Sequence, residues 1–152
     1  MEIILAENHG FCYGVKRAVE MANEAAEGKG KSYTLGPIIH NPQVVGRLES
    51  KGVSPIQEVA DIDEGTMIIR SHGVGPAIYA EAEEKGLHIL DATCPHVKKA
   101  QQDAKSVIED GMTLVILGEK NHPEVKSINL WANNKGIIIE DEESAQKLQI
   151  VE

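Results

Sequence analysis

The chain has 152 residues, 41% of them hydrophobic and 26% charged, a globular composition that excludes disordered and collagen-like proteins. The net charge of −9 and the 3% aromatic content argue against nucleic acid as a partner, since an acidic surface repels phosphate backbones. Neither a membrane-spanning run nor a secretory signal is visible, so we expect a cytoplasmic protein with no membrane partner.

Strands and helices are predicted to alternate along the chain. Residues 2–6 form an apolar run typical of a buried strand, and the following apolar residues recur at helical spacing up to Ala26. A short strand is predicted at 33–35, and Asn41-Pro42 is a typical helix start. Further strands are predicted at 66–70, 88–91, 113–117 and 136–140, and helices at 42–51, 76–85, 95–110, from 123 onward and at 142–148.

This order predicts an α/β fold of repeated strand–loop–helix units with mainly parallel sheets. A boundary near Thr93 divides the chain into a first unit, residues 1–93, and a second, incomplete unit, residues 94–152. A further strand would begin at Ile150.

Five reactive side chains occupy equivalent places in this pattern, each in a loop after a predicted strand and before a helix. They are Cys12, His40, His72, Cys94 and His122. Ligands of open α/β sheets bind at that edge. The recurrence therefore predicts one shared site.

The three histidines suit an anion, because each lies at a helix N-terminus with free backbone N–H groups. Taken singly, each could be a loop hydrogen bond; together they favour a diphosphate site. Glu124, two residues after His122, is either a proton donor or a first-turn carboxylate favoured by the helix dipole. The two cysteines are either small buried hydrophobes or thiolate ligands of iron–sulfur or zinc, and the residues alone leave these alternatives open.

Five segments resemble the 4-hydroxy-3-methylbut-2-enyl diphosphate reductase (LytB) family, and they occur in the family order across nearly the whole chain. They are GFCYGV (10–15), IHNP (39–42), SHGV (71–74), DATCP (91–95) and HPEV (122–125). Together they are very specific, although GFC or HPE alone would be weak.

The resemblance implies an iron–sulfur oxidoreductase of the methylerythritol phosphate route to isoprenoids. Cys12 and Cys94 match two of three cysteines that hold a [4Fe–4S] cluster. Histidines 40, 72 and 122 match residues that bind the substrate diphosphate, with His122 also at the reacting centre, and Glu124 matches the carboxylate that delivers protons. The implied reaction is a two-electron reductive dehydroxylation giving isopentenyl and dimethylallyl diphosphate, with ferredoxin, flavodoxin or a similar protein as electron donor.

The resemblance also implies three α/β units, of which this chain holds the first and most of the second. No counterpart of the third cysteine, or of the later serine and asparagine ligands, is present. We therefore expect an N-terminal fragment that needs a missing C-terminal part to complete the site and is not fully active alone. The initial strand, within residues 1–12, is expected to belong with the missing third unit.

Two alternatives to an iron–sulfur reductase are compatible with the sequence. One is a non-catalytic α/β module that binds phosphate or a partner. The other is a zinc hydrolase using Cys12, Cys94 and a histidine, although zinc ligands usually include closer pairs in sequence.

Overall fold

The computed structural model describes residues 1–7, 9–28 and 30–148. Within these ranges strands and helices alternate along most of the chain. In order they are α1 (Tyr13–Glu27), β1 (Ser32–Leu35), α2 (Pro42–Ser50), β2 (Val53–Ile56), a 3-10 turn (Val59–Asp61), β3 (Thr66–Ile69), α3 (Pro76–Glu84), β4 (His88–Asp91), α4 (Pro95–Glu109), β5 (Val115–Leu117), α5 (Pro123–Trp131), β6 (Ile137–Ile139) and α6 (Glu142–Gln146).

The strands form two parallel sheets, which confirms the predicted fold class. The larger sheet has the order β2-β1-β3-β4, and β5 pairs with β6 in the smaller one. From β1 the chain passes to β2 on one side and then returns to β3 on the other. The carboxyl ends of β1 and β3 therefore flank a topological switch point, where open α/β sheets bind ligands.

Hydrophobic residues cover both faces of the larger sheet. Met67 and Ile69 of β3 pack into one cluster, whereas Ile68 between them packs with Ala18 and Ala22 of α1 on the opposite face. All five side chains are fully buried. Because successive side chains of a strand point to opposite faces, burial of both faces rigidly fixes the loops at the strand ends.

The predicted start of α2 is confirmed in detail. Asn41 is the N-cap, and its side-chain oxygen accepts a hydrogen bond from the Val44 N–H at 3.1 Å. Pro42 occupies the first helical position, where a missing N–H costs nothing. Local capping chemistry therefore fixes the helix that follows His40.

The predicted buried strand at residues 2–6 is wrong. This segment has no strand structure, and Ile3, Ile4 and Leu5 are between 74% and 83% exposed. No strand of the described chain lies beside it to supply a hydrogen-bonded ladder, and apolar composition alone does not form a strand. Cys12 therefore follows an irregular segment, while the pairing of this segment with a third unit stays a prediction.

Sequence analysis missed the strand β2, which contains Pro55. Proline lacks the N–H of a ladder bond and is tolerated at the edge of a sheet, and β2 is an edge strand that pairs with β1. The proposed boundary near Thr93 stays a prediction, and the strand expected from Ile150 lies outside the described residues. Within the described ranges, every helix is too short or too polar to cross a bilayer.

Candidate active site

Four of the five predicted site residues follow strands at the carboxyl edges of the two sheets. His40 follows β1, His72 follows β3, Cys94 follows β4 and His122 follows β5. The loops contact one another directly, since the Cys94 N–H donates a hydrogen bond to Ser71 O at 2.9 Å. The fold thus brings residues that are distant in sequence to one place.

The three histidines form a row of imidazole rings with His72 in the middle. The ring centroids of His40 and His72 are 4.6 Å apart, and those of His72 and His122 are 6.1 Å apart. The fold thus gathers three imidazole rings, each able to donate a hydrogen bond, into one cluster.

His72 is the buried member of the row, with 7% of its surface exposed. Burial, together with the positive charges that His40, Arg70 and His122 can carry, lowers the pKa of His72 to about 4. Its ring is therefore neutral at pH 7. The buried Nδ1 has no hydrogen-bond partner among the described residues, so the ring retains an unused polar atom.

His122 is the N-cap of α5, and its ring already has a defined hydrogen bond. The Glu124 N–H donates to His122 Nδ1 at 3.2 Å. Since Nδ1 accepts, a neutral ring carries its proton on Nε2. That N–H is left to donate to a ligand, and Glu124 follows in the first turn of the same helix.

His40 is the exposed member of the row. It lies one residue before the N-cap of α2 and lines a cavity of about 420 Å³ with Asn41 and Pro42. His40 is therefore the ring of the row that is open to solvent.

Helix α5 is held against the loop that carries His72. The buried Ser127 hydroxyl lies 2.8 Å from His72 O and 2.9 Å from Glu124 O, and its single proton serves these two acceptors. One turn later, Trp131 Nε1 donates to Val74 O at 2.9 Å. These two contacts join α5 to the loop that follows β3, and they position His122 and Glu124 next to His72.

The two cysteines lie at the N-termini of α1 and α4. Cys12 and Cys94 are the N-cap residues, and neither thiol makes a capping hydrogen bond. Cys12 is exposed, Cys94 is partly exposed, and both are free thiols. Free thiols that are not fully buried and make no capping bond leave their sulfur atoms available as ligands.

Close packing brings α1 against Cys94. Gly14 is buried, and a Cβ atom added there would collide with Cys94 Sγ. Arg17 of α1 also donates to Thr93 O at 3.2 Å and to Asp91 O at 3.5 Å. The glycine and the arginine thus place the helix that begins after Cys12 directly on the Cys94 loop.

The Asp91 side chain also stabilises the loop of Cys94. Its carboxylate accepts hydrogen bonds from Thr93 N at 3.0 Å, Lys98 Nζ at 2.6 Å and the Tyr79 hydroxyl at 3.1 Å. Burial alone would raise the pKa of Asp91, but the bonds from Lys98 and Thr93 outweigh it and hold the pKa below its usual value. For Tyr79, burial and then the nearby Asp91 charge raise the pKa to about 12.

Cys12 and Cys94 are the residues that decide whether the site could hold a metal group. Within the described ranges, no three His, Cys, Asp or Glu side chains are grouped closely enough to hold a metal ion. Two sulfur donors at helix N-termini, with a glycine cradle against one sulfur, suit part of an iron–sulfur ligand set. The residues therefore fit such a group as two of its ligands.

Sequence reasoning did not single out Arg70, Gly14 or the role of Asp91. Arg70 directly precedes the SHGV segment, and Gly14 lies within GFCYGV. For both residues, the sequence signal that could have indicated a role was their position next to or within a motif. Their contacts, however, arise only in the folded chain.

Comparison with known proteins shows the family of the chain. The LytB protein family model matches residues 3–152. The chain belongs to the LytB family. Two similar relatives are 4-hydroxy-3-methylbut-2-enyl diphosphate reductases: that of Geobacter metallireducens is 51% identical over 148 residues, and that of Pelobacter propionicus is 50% identical over 151 residues.

Solved structures also match the fold. A reductase described as the terminal enzyme of the non-mevalonate pathway superposes with a TM-score of 0.82 at 47% identity, covering 95% of this chain and 53% of that one. The Plasmodium falciparum reductase gives a TM-score of 0.90 at 32% identity, covering 95% and 46%. The match covers 97% of this chain and 52% of the Geobacter protein, and 99% and 54% for Pelobacter. The chain thus spans about half the length of the curated relatives it matches.

Proposed function

We propose that this chain carries half of the active site of a 4-hydroxy-3-methylbut-2-enyl diphosphate reductase. The observation that carries the proposal is the row of three imidazoles, with ring centroids 4.6 and 6.1 Å apart, in which the loop of the central His72 is hydrogen-bonded to the loop of Cys94. The proposed diphosphate donors and Cys94 thus follow strands at the carboxyl edges of the two sheets, and α1, which begins after Cys12, packs against the Cys94 loop. The similarity to 4-hydroxy-3-methylbut-2-enyl diphosphate reductases supports an allylic diphosphate as the substrate class.

In this proposal Cys12 and Cys94 hold a [4Fe–4S] cluster. A third thiolate comes from the part of the protein that the relatives carry beyond the matched half. When bound, the cluster would supply the two electrons of the reduction, received from a donor such as ferredoxin or flavodoxin. The close packing at Gly14 and the hydrogen bonds of Arg17 hold α1, which follows Cys12, against the loop of Cys94. They thereby support this role.

The histidines bind the diphosphate. His122 donates through Nε2, because its Nδ1 is occupied by the Glu124 N–H. His72, neutral at pH 7, contributes a hydrogen bond rather than charge, while the N-termini of α2 and α5 add positive potential. The diphosphate is thereby fixed with its organic end free to approach the cysteines.

Glu124 supplies a proton to the departing hydroxyl. The substrate takes up two electrons and two protons, its carbon–oxygen bond breaks, and the hydroxyl leaves as water. One proton goes to this oxygen and the other to carbon, giving isopentenyl or dimethylallyl diphosphate. The position of Glu124 in the first turn of α5, two residues after His122, supports this role.

Diphosphate binding to the 152-residue chain tests the histidine roles. We expect inorganic diphosphate to shift the ring NMR signals of His40, His72 and His122. Replacement His122→Asn keeps an N-capping side chain and should weaken binding about tenfold. The matched control His96→Gln changes an exposed histidine and should have no effect. Unshifted ring signals would contradict the diphosphate assignment.

Iron content tests the cysteine roles. The chain is fused to the portion of the Geobacter metallireducens relative beyond the matched region and reconstituted anaerobically with iron and sulfide. We expect Cys94→Ser to lose most bound iron and the visible absorbance, with Ser106→Ala as a surface control. Retention of both would refute the ligand role. No cluster in any form would favour a non-catalytic phosphate-binding module, and stoichiometric zinc would favour the hydrolase alternative.

A further inference from the structure

Arg70 is a half-buried cation with no anionic partner in the described chain. It follows β3 directly, its Nε is buried without a hydrogen-bond acceptor, and none of the observed ion pairs includes it. Burial lowers the pKa of the guanidinium, which shows that it has lost part of its hydration. An unpaired, partly desolvated cation is costly and is stabilised by any anion that reaches it.

The cleft beside Arg70 is cationic although the whole chain is strongly acidic. It has a volume of about 290 Å³, enough for a phosphate group, and its polar lining includes Arg70, Lys126 and Gln57. No Asp or Glu is among the lining residues, whereas the chain carries a net charge of −9. Local charge here is therefore opposite to the global charge.

The cleft lies at the topological switch point of the larger sheet. Leu35 and Gly36, at the end of β1, form one side, and Arg70 and Gly73, after β3, form the other. Gly36 has a φ of +70°, and a Cβ there would come within 2.9 Å of Arg70 Nη1. Glycine thus leaves room for the guanidinium at the mouth of the crevice.

Lys126 is brought to this cleft by the docking of α5. A Cβ on Gly75 would approach the Leu130 side chain to 2.8 Å, so the absence of a side chain allows the helix to sit close. The bonds from Ser127 to His72 O and from Trp131 to Val74 O then fix the helix. Arg70 therefore directly follows a strand of the larger sheet, and Lys126 lies on a helix that these contacts hold at the cleft.

We propose that Arg70 and Lys126 form a second oxyanion subsite, which binds a phosphate-type anion in the cleft between the β1 and β3 loops. None of the three histidines lines this cleft, so the subsite is separate from the histidine row. Arg70 offers the planar N–H donors of its guanidinium, and Lys126 adds a second positive charge to the same cleft. The subsite goes beyond the proposed reductase function and does not depend on a bound cluster.

Calorimetry with inorganic phosphate at low ionic strength tests the proposal. The titration uses the double variant His40→Asn/His122→Asn, which removes two of the three histidines but leaves the cleft intact. We expect phosphate to bind this variant still. Adding Arg70→Gln should weaken binding at least about tenfold, and Lys126→Gln should weaken it less.

Two controls separate the cleft from general electrostatics. Lys135→Gln changes the net charge equally at an exposed residue outside the cleft and should leave phosphate affinity unchanged. Arg70→Lys keeps the charge but loses the planar set of guanidinium donors, and it should bind phosphate more weakly than the parent. Circular dichroism checks that each variant is folded.

The outcomes are distinguishable from those for the reductase proposal. Equal phosphate affinity with and without the Arg70→Gln substitution would overturn the subsite, as would loss of all binding in the histidine double variant. Neither result affects the ring-signal or iron-content tests. Conversely, phosphate binding that depends on Arg70 would stand even if Cys94 proved not to be a cluster ligand.

Discussion

The two sheets differ in how completely they bury their own apolar residues. The larger sheet is covered on both faces, and the central residues 67–69 of β3 are fully buried. In the two-stranded sheet Leu117 of β5 is 75% exposed and Ile137 of β6 is 37% exposed. The better-packed region carries His40, His72 and Cys94, and His122 and Glu124 reach them through the docking of α5.

This difference teaches that the site has a rigid side and a dependent side. The residues after β1, β3 and β4 are held in place by a well-packed core on both faces of the larger sheet. Residues at the start of α5 depend on a few hydrogen bonds to the His72 loop. Changes on the rigid side should affect global stability, and changes at the junction should loosen α5 first.

Acid should destabilise the rigid side most. The pKa of His72 is about 4 in the fold, against an ordinary value of 6.5, so the unfolded state binds more protons between these values. Stability is therefore full above pH 6.5 and falls as pH drops, with a loss of about 3 kcal/mol by pH 4. Urea unfolding from pH 7.5 to 4.5 measures the slope. His72→Asn should flatten it and His96→Gln should not; equal slopes in all three proteins would contradict the assignment.

A second change breaks the packing between α1 and the Cys94 loop. Gly14→Ala places a Cβ against Cys94 Sγ, and the resulting displacement should cost about 2 kcal/mol of unfolding free energy. Gly46→Ala is the matched control, because Gly46 is exposed within α2 and nothing lies near its added Cβ. The control should be neutral or stabilising by up to about 1 kcal/mol. Denaturant unfolding compares the two variants. Equal stability of the Gly14→Ala and Gly46→Ala proteins would show that α1 is not closely packed against Cys94.

The contrast between regions also explains what could be predicted from sequence. Helix starts such as Asn41-Pro42 and the loops after strands were predicted correctly, because capping residues, proline and glycine act on their immediate neighbours. The buried strand at 2–6 was wrong, because strand formation needs a partner that composition does not reveal. Gly14 and Cys94 are 80 positions apart, and their contact exists only through tertiary packing. For the same reason, no local pattern indicated the unpaired state of Arg70.

Loosening of the dependent side is tested at Ser127. Ser127→Ala removes the hydroxyl that bonds His72 O and accepts from the buried Gln101, and it should cost about 1.5 kcal/mol. Trp131 is the only tryptophan of the chain, so its fluorescence reports on the docking of α5. We expect its emission to shift to longer wavelength at lower urea than in the parent. Ser106→Ala, on the exposed side of α4, should behave as the parent does.

The smallest expected effect comes from a single atom at the junction. Trp131→Phe keeps an aromatic ring near Tyr79, whose centroid lies 6.0 Å from that of Trp131, but removes the N–H that bonds Val74 O. The lost bond should cost about 1 kcal/mol. Hydrogen exchange should then accelerate for amides of α5 while amides of β3 keep their protection, because local opening of the helix leaves the larger sheet intact. Equal acceleration in both elements would mean that the two regions unfold as one unit, and the distinction between a rigid and a dependent side would fail.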